Sequence, residues 1–306
     1  MSNNIVFMGT PEFSVKILEH LVKSNFDIEC VYTQSPKKSS RGQKIHSSPV
    51  QKISEKLNIK VRSPNNLTSI EELNFFKSLS SKIIVVVAYG KIIPKTFLNL
   101  PDKIFLNIHP SLLPRWRGAA PIQRSIMSLD KETGISIMKL VEDLDAGPYI
   151  KQVKVKIDDK TTTKSLSEKL SSLGAKAVID SINLISKGEY KFINQNHSQA
   201  TYAKKINKSE SKIKWNEPAK NILAKINALN PSPGAWFEYN GNRFKIWKAN
   251  IKNNQGSPGE VLDKKLVIGC GEKSIQVTEI QKEGKKVLSL DEFLSGNKIS
   301  IGEKIL

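Results

Sequence analysis

The chain has 306 residues, of which 39% are hydrophobic, and its formal net charge is +19. This length has room for two domains, because one hydrophobic core usually organises about 100 to 200 residues. No apolar stretch approaches the roughly 20 residues of a membrane helix. The N-terminus leads directly into an apolar strand, so we expect no secretion signal.

The first two-thirds of the chain alternate apolar strands with helices. The predicted strands span residues 5–8, 28–33, 83–88 and 104–108, and helical spacing of apolar residues follows at 13–21, 50–57 and 71–79. Strands that are apolar on both faces and separated by helices predict a parallel sheet covered on both sides. The fold class is therefore α/β, with a Rossmann-like N-terminal domain.

The turn after the first strand reads Gly9-Thr-Pro-Glu12. It lacks the three-glycine pattern that lets a pyrophosphate approach the backbone of a dinucleotide-binding fold. Nicotinamide or flavin binding is therefore not supported.

The last third of the chain has a different pattern. After a helix predicted at 163–186 and another at 219–229, short alternating runs at 243–249, 266–268 and 275–280 are separated by glycine and proline turns. Such turn density predicts a small β-barrel or sandwich. We expect a catalytic domain at 1–189, a linker at 190–206 and a C-terminal domain at 207–306.

The excess of positive charge is compatible with an anionic partner. Only six of the 48 basic residues are arginine, and codon bias could also produce such a composition without any function. Between residues 31 and 54 there is no acidic residue, and the basic ones are Lys37, Lys38, Arg41, Lys44 and Lys52. That segment is either a solvated surface loop or a binding loop.

Four aromatic residues stand among the lysines of the last third: Trp215, Trp236, Tyr239 and Trp247. They are candidates either for the hydrophobic core or for stacking on nucleic acid bases. The sequence leaves both alternatives open.

Cysteine and histidine are scarce. Cys30 and Cys270 lie far apart, which argues against a disulfide and favours a reducing compartment. None of the four histidines shares a short metal-binding spacing with another ligand type. We expect two buried free thiols, no bound metal and a cytoplasmic location.

The densest chemistry lies in residues 107–121, which read Asn-Ile-His-Pro-Ser-Leu-Leu-Pro-Arg-Trp-Arg-Gly-Ala-Ala-Pro. The run follows a strand, where ligands bind in open α/β sheets, and Asn107 and His109 should point to the same side. An amide beside an imidazole is suited to stabilising an oxyanion in acyl transfer. Asp145, in a second loop, could fix the His109 tautomer or relay a proton. A structural histidine is the alternative.

The segment Asn107-Ile-His-Pro-Ser-Leu-Leu-Pro114, followed by Gly118, resembles the signature of folate-dependent formyltransferases, which move a formyl group from 10-formyltetrahydrofolate to an amine. Its continuation, Leu113-Pro-Arg-Trp-Arg-Gly-Ala-Ala-Pro121, resembles the branch of that family that acts on methionyl-tRNA. Residues that match further family landmarks are 7–13, 32–34, 41–44, 48–50, 86–90, 201–203 and 230–231. The resemblance covers nearly the whole chain.

The resemblance implies roles for individual residues. Asn107, His109 and Asp145 match the catalytic trio, and the segment that contacts the folate co-substrate matches Ser111, Leu112, Leu113 and Pro114. The loop around Arg41, with Lys37, Lys38 and Lys44, resembles an insertion that contacts the acceptor arm of initiator methionyl-tRNA. This loop begins Gln34-Ser-Pro-Lys, where the family more often has Gln-Pro-Asp followed by arginine.

The resemblance further implies an OB-like barrel in the C-terminal domain and a role in translation initiation, and we expect a monomer. Three other functions remain as alternatives. They are formyl transfer to a small amine such as a glycinamide nucleotide, hydrolysis of 10-formyltetrahydrofolate without an acceptor, and RNA binding without catalysis. The first resembles only the N-terminal domain of this chain.

Overall fold

The computed structural model describes residues 4–39, 44–297 and 299–305, which form two compact units. The first unit contains the described residues up to Gly118 together with Gly134–Val155 and Ser167–Tyr202. The second contains Ala119–Thr133, Lys156–Leu166 and the described residues from Ala203 onward. Two segments that precede residue 189 thus belong to the second unit, whereas the sequence predicted one linear division.

The strands in the described part of the chain are, in order, β1 (Asn4–Gly9), β2 (Asp27–Tyr32), β3 (Lys37–Ser39), β4 (Lys44–His46), β5 (Val61–Arg62), β6 (Ile83–Val87), β7 (Ile104–His109), β8 (Arg117–Gly118), β9 (Glu132–Lys139), β10 (Tyr149–Lys156), β11 (Tyr202–Ala203), β12 (Ala235–Tyr239), β13 (Asn242–Lys252), β14 (Val267–Gly269), β15 (Ser274–Lys282) and β16 (Leu288–Ser289).

The α-helices over the same residues are α1 (Glu12–Lys23), α2 (Pro49–Lys56), α3 (Ile70–Ser78), α4 (Lys95–Leu98), α5 (Pro121–Met127), α6 (Thr163–Lys187), α7 (Ala219–Ala228) and α8 (Leu290–Gly296). Short 3-10 helices lie at His197–Gln199 and Lys208–Ser211.

A seven-stranded sheet forms the frame of the first unit, in the order β10-β9-β7-β6-β1-β2-β5. The pairs β2–β5, β1–β2, β1–β6 and β6–β7 are parallel, while β7 and β9 are antiparallel. All five residues of β6, Ile-Ile-Val-Val-Val, are buried, as expected for a strand covered on both faces. The predicted parallel sheet is confirmed, and it carries an antiparallel addition at one edge.

An antiparallel sheet organises the second unit, in the order β12-β13-β15-β14, with β16 also paired to β15. Irregular register between Ile246 and Ala249 bends β13, because bulges increase strand twist. One face of this sheet packs on the apolar side of α7, where Ile222, Leu223 and Ile226 are buried. The predicted small β domain is confirmed as a bent antiparallel sheet.

The four aromatic residues considered for stacking on nucleic acid bases have different environments. Trp215 is buried in the core, whereas Trp236, Tyr239 and Trp247 are only partly buried. The guanidinium carbon of Arg243 lies 3.9 Å from the centre of the Trp236 ring, in a cation–π arrangement. The core alternative is correct for Trp215, and stacking on nucleic acid stays a prediction for the other three.

Both cysteines are free and buried, as predicted. Burial raises the pKa of each thiol, Cys30 and Cys270, to about 12, because an apolar environment disfavours the thiolate.

Among the described residues, no group of three or more His, Cys, Asp or Glu side chains is placed to hold a metal ion. No helix over those residues has the length and apolar character needed to span a membrane.

Candidate functional site

The carboxyl end of β7 carries the first two candidate residues. Asn107 lies opposite Val86 of β6 and Met138 of β9, so β7 is held by neighbours on both sides. Because Asn107 and His109 are two residues apart on this strand, their side chains leave the same face. His109 is 4% exposed, and Asn107 is partly exposed. Within the described residues, the amide of Asn107 makes no hydrogen bond to the protein.

The imidazole of His109 is oriented by a backbone carbonyl. Its Nε2 lies 2.9 Å from the carbonyl oxygen of Trp116. A carbonyl oxygen only accepts, so this hydrogen bond requires the proton on Nε2, and the neutral ring then has its lone pair on Nδ1. The sequence offered Asp145 as the residue that fixes the tautomer of His109, whereas in the structure the carbonyl of Trp116 does so.

Asp145 lies beside that free nitrogen. The distance from its Oδ2 to Nδ1 of His109 is 3.6 Å, which is longer than a hydrogen bond but close enough for a charge interaction. The same Oδ2 accepts a hydrogen bond of 2.8 Å from the backbone N–H of Gly118. Asp145 has φ of 47°, in the left-handed region that non-glycine residues rarely adopt. The structure thus brings Asp145 and His109 together.

The turn after β7 is held by hydrogen bonds within the turn and from β9. The Ser111 hydroxyl donates to the carbonyl of Arg115 over 2.6 Å, and the Ser136 hydroxyl donates to the carbonyl of Ser111 over 2.7 Å. Ser111 and Leu113 are buried, whereas Leu112 and Pro114 are partly exposed. Of the four residues predicted to contact folate, Leu112 and Pro114 therefore have side-chain surface that a ligand can reach.

Three other family landmarks meet where β1, β2 and β6 end. The hydroxyl of Thr10 donates to the carbonyl of Tyr89 over 2.8 Å, and Nε2 of Gln34 donates to the same oxygen over 3.1 Å. Gly90 has φ of +77°, and a Cβ there would lie 2.1 Å from Nε2 of Gln34. These contacts explain physically why 7–13, 32–34 and 86–90 carry distinctive residues, since the carboxyl ends of parallel strands share one edge.

Sequence reasoning missed two residues, Thr201 and Gln195, that hold the site in place through hydrogen bonds. The Thr201 hydroxyl accepts a hydrogen bond of 2.9 Å from the backbone N–H of Trp116, and the Thr201 carbonyl accepts one from the N–H of Arg117. The landmark 201–203 was the available signal for Thr201. Gln195, which bonds both Arg117 and the backbone of Asp145, had no local signal.

The predicted tRNA-binding residues are only partly placed. The backbones of β3 and β4 form an antiparallel hairpin in which Lys37 pairs with His46 and Lys38 with Ile45. Arg41 lies outside the described residues. The same holds for the side chains of Lys37, Lys38 and Lys44, so their contacts remain a prediction.

Comparisons with known proteins match both units. A family model described as formyl transferase matches residues 3–182, and one described as the formyl transferase C-terminal domain matches residues 205–298. The methionyl-tRNA formyltransferase of Pelagibacter ubique (strain HTCC1062) is 51% identical over 307 residues, which cover 100% of this chain and 99% of that protein.

Two solved structures share the fold at lower identity. An N-formyltransferase from Helicobacter canadensis, in complex with folinic acid and dTDP-3-aminofucose, superposes with a TM-score of 0.68 at 20% identity over 92% of this chain and 100% of that one. HypX from Aquifex aeolicus, in complex with tetrahydrofolic acid, superposes with a TM-score of 0.67 at 17% identity over 98% of this chain and 50% of that one. On these matches, the chain belongs to the formyl transferase family.

Proposed function

We propose that the protein transfers the formyl group of 10-formyltetrahydrofolate to the free amino group of initiator methionyl-tRNA. The product is N-formylmethionyl-tRNA, which serves translation initiation. This proposal is supported by the full-length match to a methionyl-tRNA formyltransferase. It is also supported by Asn107 and His109 at the carboxyl end of β7, with Asp145 3.6 Å from His109. An acyl-transfer site in such a sheet belongs at this edge.

Asn107 and His109 have complementary roles in the proposed reaction. Attack of the methionyl amine on the formyl carbon forms a C–N bond and places negative charge on the formyl oxygen. The amide of Asn107 makes no hydrogen bond within the described residues, so its N–H groups are available to that oxygen. Hydrogen bonds to a developing oxyanion are among the largest contributions to catalysis.

His109 handles the proton in this proposal. With Nε2–H bonded to the carbonyl of Trp116, Nδ1 is the nitrogen that can accept the proton released by the attacking amine. The resulting imidazolium lies 3.6 Å from the Asp145 carboxylate, which stabilises its charge. The proton then passes to the departing nitrogen of tetrahydrofolate as its bond to the formyl carbon breaks. This sequence of steps uses no metal ion.

The partners follow from the same reaction. The family and the relatives support a folate co-substrate and a tRNA acceptor. We assign acceptor-arm binding to the basic segment with Lys37, Lys38, Arg41 and Lys44, and folate contacts to the turn from Ser111 to Pro114. We infer that the protein acts as a monomer in the cytoplasm, where initiator tRNA is charged. Its mass in solution, measured by light scattering, tests the monomer.

A two-product assay tests the function. The protein is incubated with 10-formyltetrahydrofolate and methionyl-tRNA, and both formylmethionine and free formate are measured. We expect formylmethionine to account for the tetrahydrofolate released. Formate that accumulates at the same rate with and without methionyl-tRNA would instead identify a hydrolase.

Replacing the central imidazole tests the assigned chemistry. We expect His109→Ala to lower kcat by about 100- to 1,000-fold, because the variant loses the group that accepts the proton of the attacking amine. Affinity for methionyl-tRNA, measured by filter binding, should not change. His20→Ala is the control, since His20 lies on α1, where its Nδ1 is hydrogen-bonded to the carbonyl of Lys16. Equal turnover in His109→Ala and the wild type would contradict the assignment.

A further inference from the structure

A buried glutamine connects two segments of the candidate site. Gln195 is 4% exposed, and its Nε2 donates to the carbonyl oxygens of Asp145 over 2.8 Å and of Gly147 over 2.7 Å. Its Oε1 accepts from Nε of Arg117 over 3.0 Å and from Nη2 over 2.8 Å. We call this set of four hydrogen bonds the Gln195 bridge. It joins the turn that bears Arg117 to the loop that bears Asp145.

The chemistry of the bridge requires a neutral amide. One end of the side chain meets only donors, from Arg117, and the other meets only acceptors, the two carbonyls. A carboxylate could bond Arg117 but could not donate to the carbonyls, and an amine could do only the reverse. The partners therefore determine the orientation of the Gln195 amide.

The burial of the Arg117 guanidinium makes an uncharged partner at position 195 unusual. Arg117 is 3% exposed, and over residues 4–39, 44–297 and 299–305 it has no carboxylate within ion-pair distance. Its other side-chain contact is Nδ1 of His197 at 3.4 Å. Burying a charge without a counter-ion is costly. A glutamate at 195 would supply that counter-ion, yet the chain has glutamine, which favours a role for the amide donors.

The bridge acts where Asp145 is most constrained. Asp145 adopts a left-handed backbone, its carbonyl is held by Gln195, and its carboxylate is held by the N–H of Gly118. Gly118 directly follows Arg117, so both contacts tie the Asp145 loop to the same short strand. Together they set the distance between Oδ2 of Asp145 and Nδ1 of His109.

We propose that Gln195 is a positioning residue of the formyl-transfer site, which holds Asp145 opposite His109 through the backbone carbonyls of Asp145 and Gly147. This inference rests on the proposed function. Misplacement of a reacting group by about 1 Å can cost about 100-fold in rate. Loss of the two amide donors should therefore lower kcat rather than weaken substrate binding.

The informative variant is Gln195→Glu. Gln195→Ala would leave the buried guanidinium with only its 3.4 Å contact to Nδ1 of His197 and could unfold the unit. The glutamate keeps an acceptor for Arg117, adds a negative charge and removes the two amide donors. The control is Asn196→Asp, which makes the same chemical change at the adjacent, exposed position. There the carboxylate still accepts the hydrogen bond that Asn196 receives from the N–H of Ser198.

We expect Gln195→Glu to lower kcat for formyl transfer by about 100-fold, with KM for methionyl-tRNA unchanged, and Asn196→Asp to match the wild type. In an Asp145→Asn background, Gln195→Glu should cause little further loss, because both changes act on one group. Wild-type kcat in Gln195→Glu, or independent losses in the double variant, would overturn the proposal while the proposed function stands.

The positioning role of Gln195 can also be tested without an activity measurement, and so separately from the proposed function. The chain has four histidines, so imidazole nitrogen resonances can be assigned by substitution. We expect Gln195→Glu to shift the resonances of His109 and to leave those of His20 and His46 in place. If the wild type transfers no formyl group, the proposed function fails, and unshifted His109 resonances would then overturn the positioning role as well.

Discussion

At the scale of single residues, the candidate site depends on two residues whose backbones have left-handed conformations. Trp116 has φ of 64° and Asp145 has φ of 47°. Left-handed conformations cost a non-glycine residue roughly 1–2 kcal/mol. These conformations place the Trp116 carbonyl against Nε2 of His109 and the Asp145 carboxylate 3.6 Å from Nδ1 of the same ring. Such strain persists only where surrounding contacts determine it, and Thr201, Gly118 and Gln195 supply those contacts.

The charge of Asp145 can be tested separately from its backbone. Asparagine tolerates the left-handed region and still accepts from the N–H of Gly118, so Asp145→Asn should fold with an unchanged melting temperature. We expect its kcat to fall by about 100-fold, because the imidazolium loses its counter-charge. The exposed Asp143 provides the control, Asp143→Asn. A fully active Asp145→Asn would show that the carboxylate charge plays no part.

At the scale of secondary-structure elements, β5 and α3 are joined by one partly buried ion pair. Arg62 donates to Glu72 twice, with Nε–Oε1 at 2.8 Å and Nη2–Oε2 at 2.6 Å. These bonds hold the pKa of Glu72 below its ordinary value of 4.5, against the opposing effect of burial. The folded state therefore prefers the carboxylate, and the stabilisation is complete above pH 4.5 and lost as pH falls through the lowered pKa.

We expect Glu72→Gln to reduce the free energy of unfolding by about 2 kcal/mol at neutral pH, the scale of a hydrogen bond to a charged group. The deficit should shrink as the pH falls below 4.5. Urea unfolding at stepped pH measures it, with the exposed neighbour variant Glu71→Gln as the reference. A deficit that is the same at pH 7 and in acid would contradict this assignment.

The sequence predicted the elements whose pattern is local. Apolar runs located β1, β2, β6 and β7 to within about a residue, because strands buried on both faces need no partner to be recognised. The antiparallel edge was not predicted. In β9, Gly134 stands where a Cβ would lie 2.1 Å from the carbonyl of Val153, so close packing replaces the usual β-branched residue.

The residues of the candidate site likewise fall into those that a local pattern predicts and those that long-range contacts place. Asn107 and His109 are neighbours on a strand, and their proximity follows from its period of two. The Gln195 bridge joins residues 50 apart, and no local pattern marks a lone buried glutamine. The assignment of 119–133 and 156–166 to the second unit likewise depends on long-range packing.

At the scale of the whole molecule, the net charge of +19 governs the approach of an anionic substrate. Binding of a polyanion releases counterions, so affinity for tRNA should fall steeply with salt, while binding of free folate should not. We expect Arg41→Ala to weaken formylation of methionyl-tRNA and to lower the salt slope by about one, with folate binding intact.

The matched variant Arg41→Lys separates charge from shape. Lysine retains the positive charge but lacks the planar guanidinium that stacks on bases. The salt slope should therefore match the wild type, and any remaining loss measures stacking or bidentate contact. An unchanged rate and slope in Arg41→Ala would show that this position does not contact the tRNA.

The choice between initiator and elongator methionyl-tRNA is the sharpest test of the proposed function. The full-length protein is incubated with 10-formyltetrahydrofolate and with methionyl-tRNA of the initiator and the elongator type, and formylmethionine is quantified after hydrolysis of the ester bond. We expect rapid formylation of the initiator tRNA, little of the elongator tRNA, and almost none of either with His109→Ala. Transfer to neither tRNA by the wild-type protein would contradict the proposed function.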